Sequence, residues 1–281
     1  MQVVDLHVDT LNKLANLSRQ TGDACVDPDT LARGHVTHLC TAFFCGNNPE
    51  AEVQRVNVEK QMGIFKSLNG KMGECTLHAA IEGLDFATPE LLTDIVDRCS
   101  PVYATLTWNH TAGICGSCLE DFPLTNWGKT IVRLLEQNGV RPDLSHAGQK
   151  AFFSVFDFAE KPIVTHSCAD RITAHRRNLT DEQIRLMISR DSLLGINFYT
   201  DFCGNTLDSL MRHVLHILDM GGEGILAIGS DFDGCSSLPE GMTSPADLPL
   251  LWETFVRYDI PLPIIERVFY KNACDKLGFA Y

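Results

Sequence analysis

Six polar residues of this chain stand where short apolar runs end: His7 and Asp9 in VVDLHVDT, Glu82 in LHAAIEG, His146 in PDLSH, His166 in PIVTHS and Asp231 in LAIGSDFDG. Each run is β-branched or aliphatic and is followed by a turn or helix signal, so these residues occupy the positions at which a parallel strand delivers its last side chain. Such positions line an active-site face. Three imidazoles and three carboxylates converging there would suit a hydrolase with two zinc ions.

Each residue has a duller reading beside the chemical one. His7 and Asp9 are two apart, so on a strand they point the same way and can grip one ion. The competing reading is a buried histidine bonded to a neighbour. Asp5 lies one step deeper on the same face and is expected to orient His7. Glu82 could be a helix cap or a solvated acid; its value is that two metals about 3.5–4 Å apart need an anionic bridge, which one carboxylate can provide. His146 and His166, on adjacent strands, could hold a second ion or be core histidines. Asp231, with Asp233 on its face and Gly234 making the turn, could move a proton from water to a leaving amine, or DFDG could be a turn held by Asx hydrogen bonds.

Positioning six such groups requires many strands. Period and punctuation give eight strand candidates, at 2–8, 36–44, 75–81, 102–108, 139–145, 162–166, 193–199 and 225–230, with helical patterns between them. PEAEVQRVNVEKQMGIFKSLNG has helical spacing and Gly70 as a stop; TPELLTDIVDRCS opens with Thr88 as N-cap, Pro89 at the first helical position and Glu90 in the first turn; LTDEQIRLMISRD is capped by Thr180; the final PLPIIERVFYKNACDKLGF is amphipathic. Eight alternations of strand and helix predict an α/β fold, a (β/α)8 TIM barrel of the metal-dependent hydrolase type, forming a single catalytic domain over 1–281. A doubly wound sheet is the competitor, weakened because no GxGxxG follows the first strand and because polar strand ends are spread over most of the runs. The least regular stretch, 112–125 (AGICGSCLEDFPLT), would be a loop after strand four that could cover the site.

Charge and composition narrow the partners. The net charge of -13 comes from 36 acidic against 23 basic residues, and no Lys/Arg stripe exists to neutralise phosphates, so nucleic acid is not expected. No secretory signal opens the chain and no apolar run approaches the roughly 20 residues of a spanning helix, so a cytoplasmic protein with no membrane partner is expected. The 11 cysteines then read as reduced thiols rather than a disulfide framework. A homodimer is the default oligomer. Cys115 and Cys118 form a CxxC that could take a structural metal with Cys40 and Cys45, the reduced-thiol reading being preferred; GKT at 128–130 lacks the glycine of a phosphate loop; His213 and His216 are expected on the solvent face of a helix.

In order along nearly the whole chain, DLHVDT, the Glu of AIEG, DLSHAG, THSCADRITAHRRN, GINFY and GSDFDG resemble the membrane (renal) dipeptidase family of zinc metallopeptidases, in a compact intracellular form. The resemblance implies two Zn2+ per chain, one held by His7, Asp9 and Glu82 and the other by Glu82, His146 and His166, with Asp231 as catalytic acid/base. It implies that Arg177, the second arginine of HRRN, binds the substrate carboxylate, for which a guanidinium fork is suited, and that Tyr199 of NFY lines the substrate pocket. One departure lies at strand four. Mammalian members have a histidine directly after the Leu-Thr of this strand, thought to polarise the scissile carbonyl, whereas LTWNH places Trp108 there and His110 two residues later, from where it could reach the substrate on a shifted loop. The function implied is a binuclear zinc dipeptidase cleaving dipeptides with a hydroxide that bridges the ions. The alternatives are a related barrel amidohydrolase acting on another small amide or lactone, and a zinc-binding barrel without turnover.

Overall fold

The computed structural model describes residues 1–17, 24–46, 50–84, 87–109 and 113–281. Among them are eight parallel strands: β1 (Val3–Val8), β2 (Val36–Phe44), β3 (Thr76–Glu82), β4 (Tyr103–Thr105), β5 (Arg141–Asp143), β6 (Val164–Ser167), β7 (Leu194–Ile196) and β8 (Leu226–Ile228). The sheet runs β5-β4-β3-β2-β1-β8-β7-β6. Its two edges meet through a parallel bridge between Asp143 and Ile163, where Ile163 N donates to Pro142 O and Leu144 N donates to Ile163 O, both at 2.9 Å. The sheet is therefore closed into a (β/α)8 barrel, which leaves no exposed edge.

All eight expected strands are present, four of them no more than half as long as their apolar runs. Regular pairing stops at Thr105, Asp143, Ile196 and Ile228, and the chain beyond each turns into the barrel mouth. His146, Asp231 and Asp233 therefore sit on turns after the strands, in left-handed backbone with φ of 72°, 64° and 66°. Non-glycine residues adopt this region at a cost of order 1–3 kcal/mol, and such residues concentrate at functional sites.

Alternation along the strands builds two apolar layers. Val4, Leu6, Cys40, Ala80, Tyr103, Ile163, Leu193 and Ala227 fill the barrel's interior, where Ala273, Cys274 and Phe279 near the chain's end join them. The opposite faces meet the helices in the larger core. Local signals set the helix starts. Thr88 Oγ1 accepts from Leu91 N ahead of the helix Pro89–Cys99, and Thr180 and Gln183 make a reciprocal capping box ahead of Asp181–Ser189. At the mouth β6, β7 and β8 approach so closely that a Cβ on Gly195 or Gly229 would lie within 2 Å of Thr165 O, at 1.8 and 1.9 Å. That approach draws the ends of β6 and β8 together.

Three expectations need correction. His213 is fully buried, not solvent-facing: its Nδ1 accepts from Ala169 N at 3.1 Å and its Nε2 lies 3.2 Å from Thr173 Oγ1, so it ties the helix Leu207–Asp219 to the loop after β6. Asp5 does not touch the His7 ring. Its carboxylate accepts from the backbone N of His7 and Ser230 and from Ser230 Oγ, locking β1 to the chain after β8. Asp233 borders the same cavity as Asp231 but is committed to other donors, accepting from Thr10 Oγ1 at 2.8 Å, Lys13 Nζ at 3.0 Å and Cys25 N at 2.9 Å. A short acidic side chain takes the nearest donors, and strand alternation alone does not reveal which those are. The 11 cysteines are free thiols, and no helix among the described residues is long and apolar enough to cross a membrane.

Candidate metal centre

At the carboxyl ends of the strands, the three imidazoles among the six polar groups converge on one carboxylate. Glu82 Oε1 lies 3.7 Å from His7 Nε2, 3.0 Å from His146 Nε2 and 3.7 Å from His166 Nε2. Asp9 Oδ2 is 3.9 Å from His7 Nε2, and an Asp231 carboxylate oxygen falls within 4.8 Å of both. His7, Asp9, Glu82, His146 and His166 are all buried.

Hydrogen bonds on the far side of each ring set its tautomer. Tyr103 OH donates to Leu6 O at 2.8 Å, so toward His7 Nδ1, also at 2.8 Å, it can only accept. Thr165 Oγ1 donates to Asp143 Oδ2 at 3.0 Å and receives His166 Nδ1–H at 3.0 Å. His146 Nδ1 donates to Asn109 Oδ1 at 3.2 Å. In all three imidazoles Nδ1 carries a proton toward its outer partner and Nε2 faces the cluster.

That arrangement fits a cation. His146 Nε2 and His166 Nε2 are 3.1 Å apart with no proton between them, close to the separation of about 3.3 Å that two nitrogens take on a tetrahedral zinc with Zn–N of about 2.0–2.1 Å. His7 Nε2 and Asp9 Oδ1 are buried with no hydrogen-bond partner. The electrostatics agree. Burial, then the nearby charges of Arg177 and His7, hold His146 well below the usual imidazole range, and burial, then His7 and Arg177, do the same for His166. Burial also opposes charge on His7, but Asp9, Glu82 and Asp231 outweigh it and push that ring up to about 10. The carboxylates thus demand positive charge where the imidazole nitrogens converge.

Removing the hydroxyl that orients His7 gives a direct check. Tyr103→Phe is expected to weaken metal binding about 10–100-fold, the range for groups that support a ligand, as measured by competition with a chromogenic chelator. Unchanged affinity would mean that Tyr103 does not support a ligand.

The centre opens into a cavity of about 450 Å³ that also borders Arg177, Tyr199, Trp108 and Phe44. Arg177 is buried, with its guanidinium 5.4 Å from the Phe202 ring and Nη2 3.5 Å from His166 O. Tyr199 is half-buried and its OH lies 3.4 Å from Ser236 Oγ. Asp231 accepts from Asn197 Nδ2 at 3.1 Å, and burial followed by the charge of Asp9, partly offset by His7, pushes its carboxyl up to about 6. A Cβ on Gly234 would meet Asp9 Oδ2 at 2.2 Å and Asp231 Oδ1 at 2.3 Å, so only glycine lets both carboxylates turn inward. His110 lies outside the described residues. The described part of the loop after β4 reaches the rim, with Cys118 N donating to His146 O at 2.7 Å and Leu119 exposed beside the cavity.

Tyr103, Asn109, Thr165 and Asn197 escaped the sequence reading as members of the site. Asn109 in LTWNH and Asn197 in GINFY carried the only local signal, a polar side chain just past an apolar run.

Comparison with known proteins places the fold and the family. An uncharacterized dipeptidase of Schizosaccharomyces pombe is 28% identical over 180 residues, which is 62% of this chain and 40% of that protein, so the chain spans well under half of that relative's length. The structure of a metallopeptidase of family M19, dipeptidase AC, superposes with a TM-score of 0.90 at 21% identity, covering 100% of this chain and 99% of the other. A Rhodobacter sphaeroides metallopeptidase, solved with a phosphinate mimic of the dipeptide L-Ala-D-Ala, gives a TM-score of 0.90 at 20% identity over 100% and 99% of the two chains. At these identities the two structures establish the shared barrel. The sequence model of the membrane dipeptidase family matches residues 98–274, more than half of the chain, and the protein belongs to that family, peptidase family M19.

Proposed function

We propose that this protein is a metal-dependent dipeptidase that binds two zinc ions and hydrolyses the peptide bond of a dipeptide with a free carboxylate. The observation that carries the reading is Glu82 Oε1, within 3.7 Å of the Nε2 atoms of three imidazoles that face it. His7, Asp9 and Glu82 would hold one ion and Glu82, His146 and His166 the other. Bound there, the pair would supply Lewis acidity and an activated water.

The remaining tasks fall to this chain's own groups. Arg177 receives the substrate carboxylate; buried, with Phe202 under its plane, it offers a fixed fork to two oxygens. Asp231, held through Oδ2 by Asn197 and pushed up to about 6, accepts and returns a proton near neutrality and passes it to the departing nitrogen. Asn197 Oδ1 also accepts from Tyr199 N, so one amide positions both the acid/base and the tyrosine on the cavity wall.

The test is a panel of L,L, L,D and N-acyl dipeptides and a lactone with zinc-loaded protein, and metal measured on the same sample. Hydrolysis of free dipeptides with two ions per chain supports the reading. Turnover confined to N-acyl compounds or lactones would favour a different amidohydrolase, and two ions without any turnover a binding protein. Arg177→Ala is expected to lower kcat/KM at least about 30-fold, mostly through KM, since losing one partner of a buried charged pair costs about 2 kcal/mol or more. Amidating the substrate's C-terminus should cost the parent as much and the variant little more, because both changes delete one contact.

A further inference from the structure

The cavity has two chemically different halves. Arg177, Tyr199 and Asp231, the groups assigned above to the carboxylate, the pocket wall and the departing nitrogen, all come from the chain following β6, β7 and β8. The residue that leaves with the carboxylate therefore lies over that side. The closed strand order puts β2, β3 and β4 across the barrel. On that side Phe44, in register with Glu82, and Trp108, just past β4, stand on either side of the carboxylate at the centre. Their rings meet edge to face at 5.1 Å and 62°, and the indole is 5.8 Å from the His146 ring. Both side chains are half-buried and line the cavity.

We propose that Phe44 and Trp108 form the subsite for the side chain of the substrate's N-terminal residue and select large apolar side chains there. This rests on the dipeptidase reading and deepens it. With the carboxylate at Arg177 and the scissile carbon over the metal centre, the N-terminal residue points toward the aromatic pair. An aliphatic or aromatic side chain would bury apolar surface against both rings, whereas glycine would leave them wet. The rim beside them is formed by the uncharged Asn109, Cys118 and Leu119, and the cavity's two arginines, Arg176 and Arg177, belong to the chain after β6 on the carboxylate's side. An acidic side chain seated between the two rings would be desolvated there without compensation.

The experiment compares kcat/KM of the zinc-loaded protein for dipeptides with a common C-terminal residue and Gly, Ala, Leu, Phe or Asp at the N-terminus. The expected result is at least about a tenfold rise from Gly to Leu or Phe, the discrimination a methylene-sized difference commands in an apolar pocket, with Asp below Gly. Trp108→Ala should lower the Leu/Gly ratio about tenfold, chiefly through KM, and Trp108→Phe should keep most of it. A purely structural role for the indole would lower all substrates alike and leave the ratio unchanged, which overturns the proposal. A flat profile in the parent overturns it too, without any variant needing to fold. Failure to hydrolyse any member of the series overturns the dipeptidase reading and the subsite with it; hydrolysis with a flat profile overturns the subsite alone.

Discussion

Replacing Asp231 by asparagine is expected to lower kcat about 10²–10⁴-fold, the contribution of a positioned acid/base, while both metal ions stay bound. The amide has the same shape and can still meet Asn197, which donates to Oδ2 at 3.1 Å in the parent, but it cannot take up a proton. Two measurements on one sample decide the matter: kcat for a dipeptide, and zinc per chain by elemental analysis. Parental turnover would remove Asp231 from proton transfer. Loss of one ion would instead make it a ligand, a possibility its approach to His7 and Asp9 within 4.8 Å makes concrete.

Glu82→Gln should have the other large effect, and its signature is not confined to activity. Among the described residues Glu82 is the one carboxylate near all three imidazoles, so its loss should reduce bound zinc below two ions per chain. Activity should fall by more than the 10–100-fold associated with groups that only orient a ligand. Stability should move the opposite way in metal-free protein. Burial first, and the charge of Asp9 next, push the Glu82 carboxyl well above the usual carboxylate range. An acid whose folded pKa is raised is favoured by the fold when protonated, so its stabilising contribution is lost as pH rises and at neutral pH the buried group strains the metal-free site. The neutral amide removes that strain. Metal-free Glu82→Gln is therefore expected to melt about 2–4 °C above metal-free parent, corresponding to about 1 kcal/mol in a domain of this size, and zinc should raise its Tm less than the parent's. A variant that melts lower without metal and binds two ions would show Glu82 to be a structural acid.

The fold and the centre differ in how they are encoded. Eight apolar runs with turn signals between them, Thr88 and Thr180 at helix starts, and polar residues at the run ends are local patterns with periods of two or 3.6 residues. They determine strands, helices and the face to which His7, Glu82 and His166 belong, and a closed parallel barrel then brings these three together. His146 and Asp231 were found as run ends, although the run ends are turns in left-handed backbone rather than paired strand.

What the sequence could not state is which neighbour each of these groups meets. His7 is oriented by Tyr103, 96 positions away, and not by Asp5 two positions away; His146 takes Asn109, 37 positions away; Asp231 takes Asn197, 34 positions away. These contacts exist only because the barrel closes and sets inward-facing side chains of separate strands at one level, and no local periodicity carries that distance information. For the same reason Trp108, a departure from the family pattern when read along the chain, becomes half of an aromatic wall only once β2 and β4 flank Glu82. Local patterns along the chain identify the ligand-type and acid/base residues. Their orientation, their partners and the shape of the space between them follow from the closed barrel, because these depend on distances through space that barrel closure alone sets.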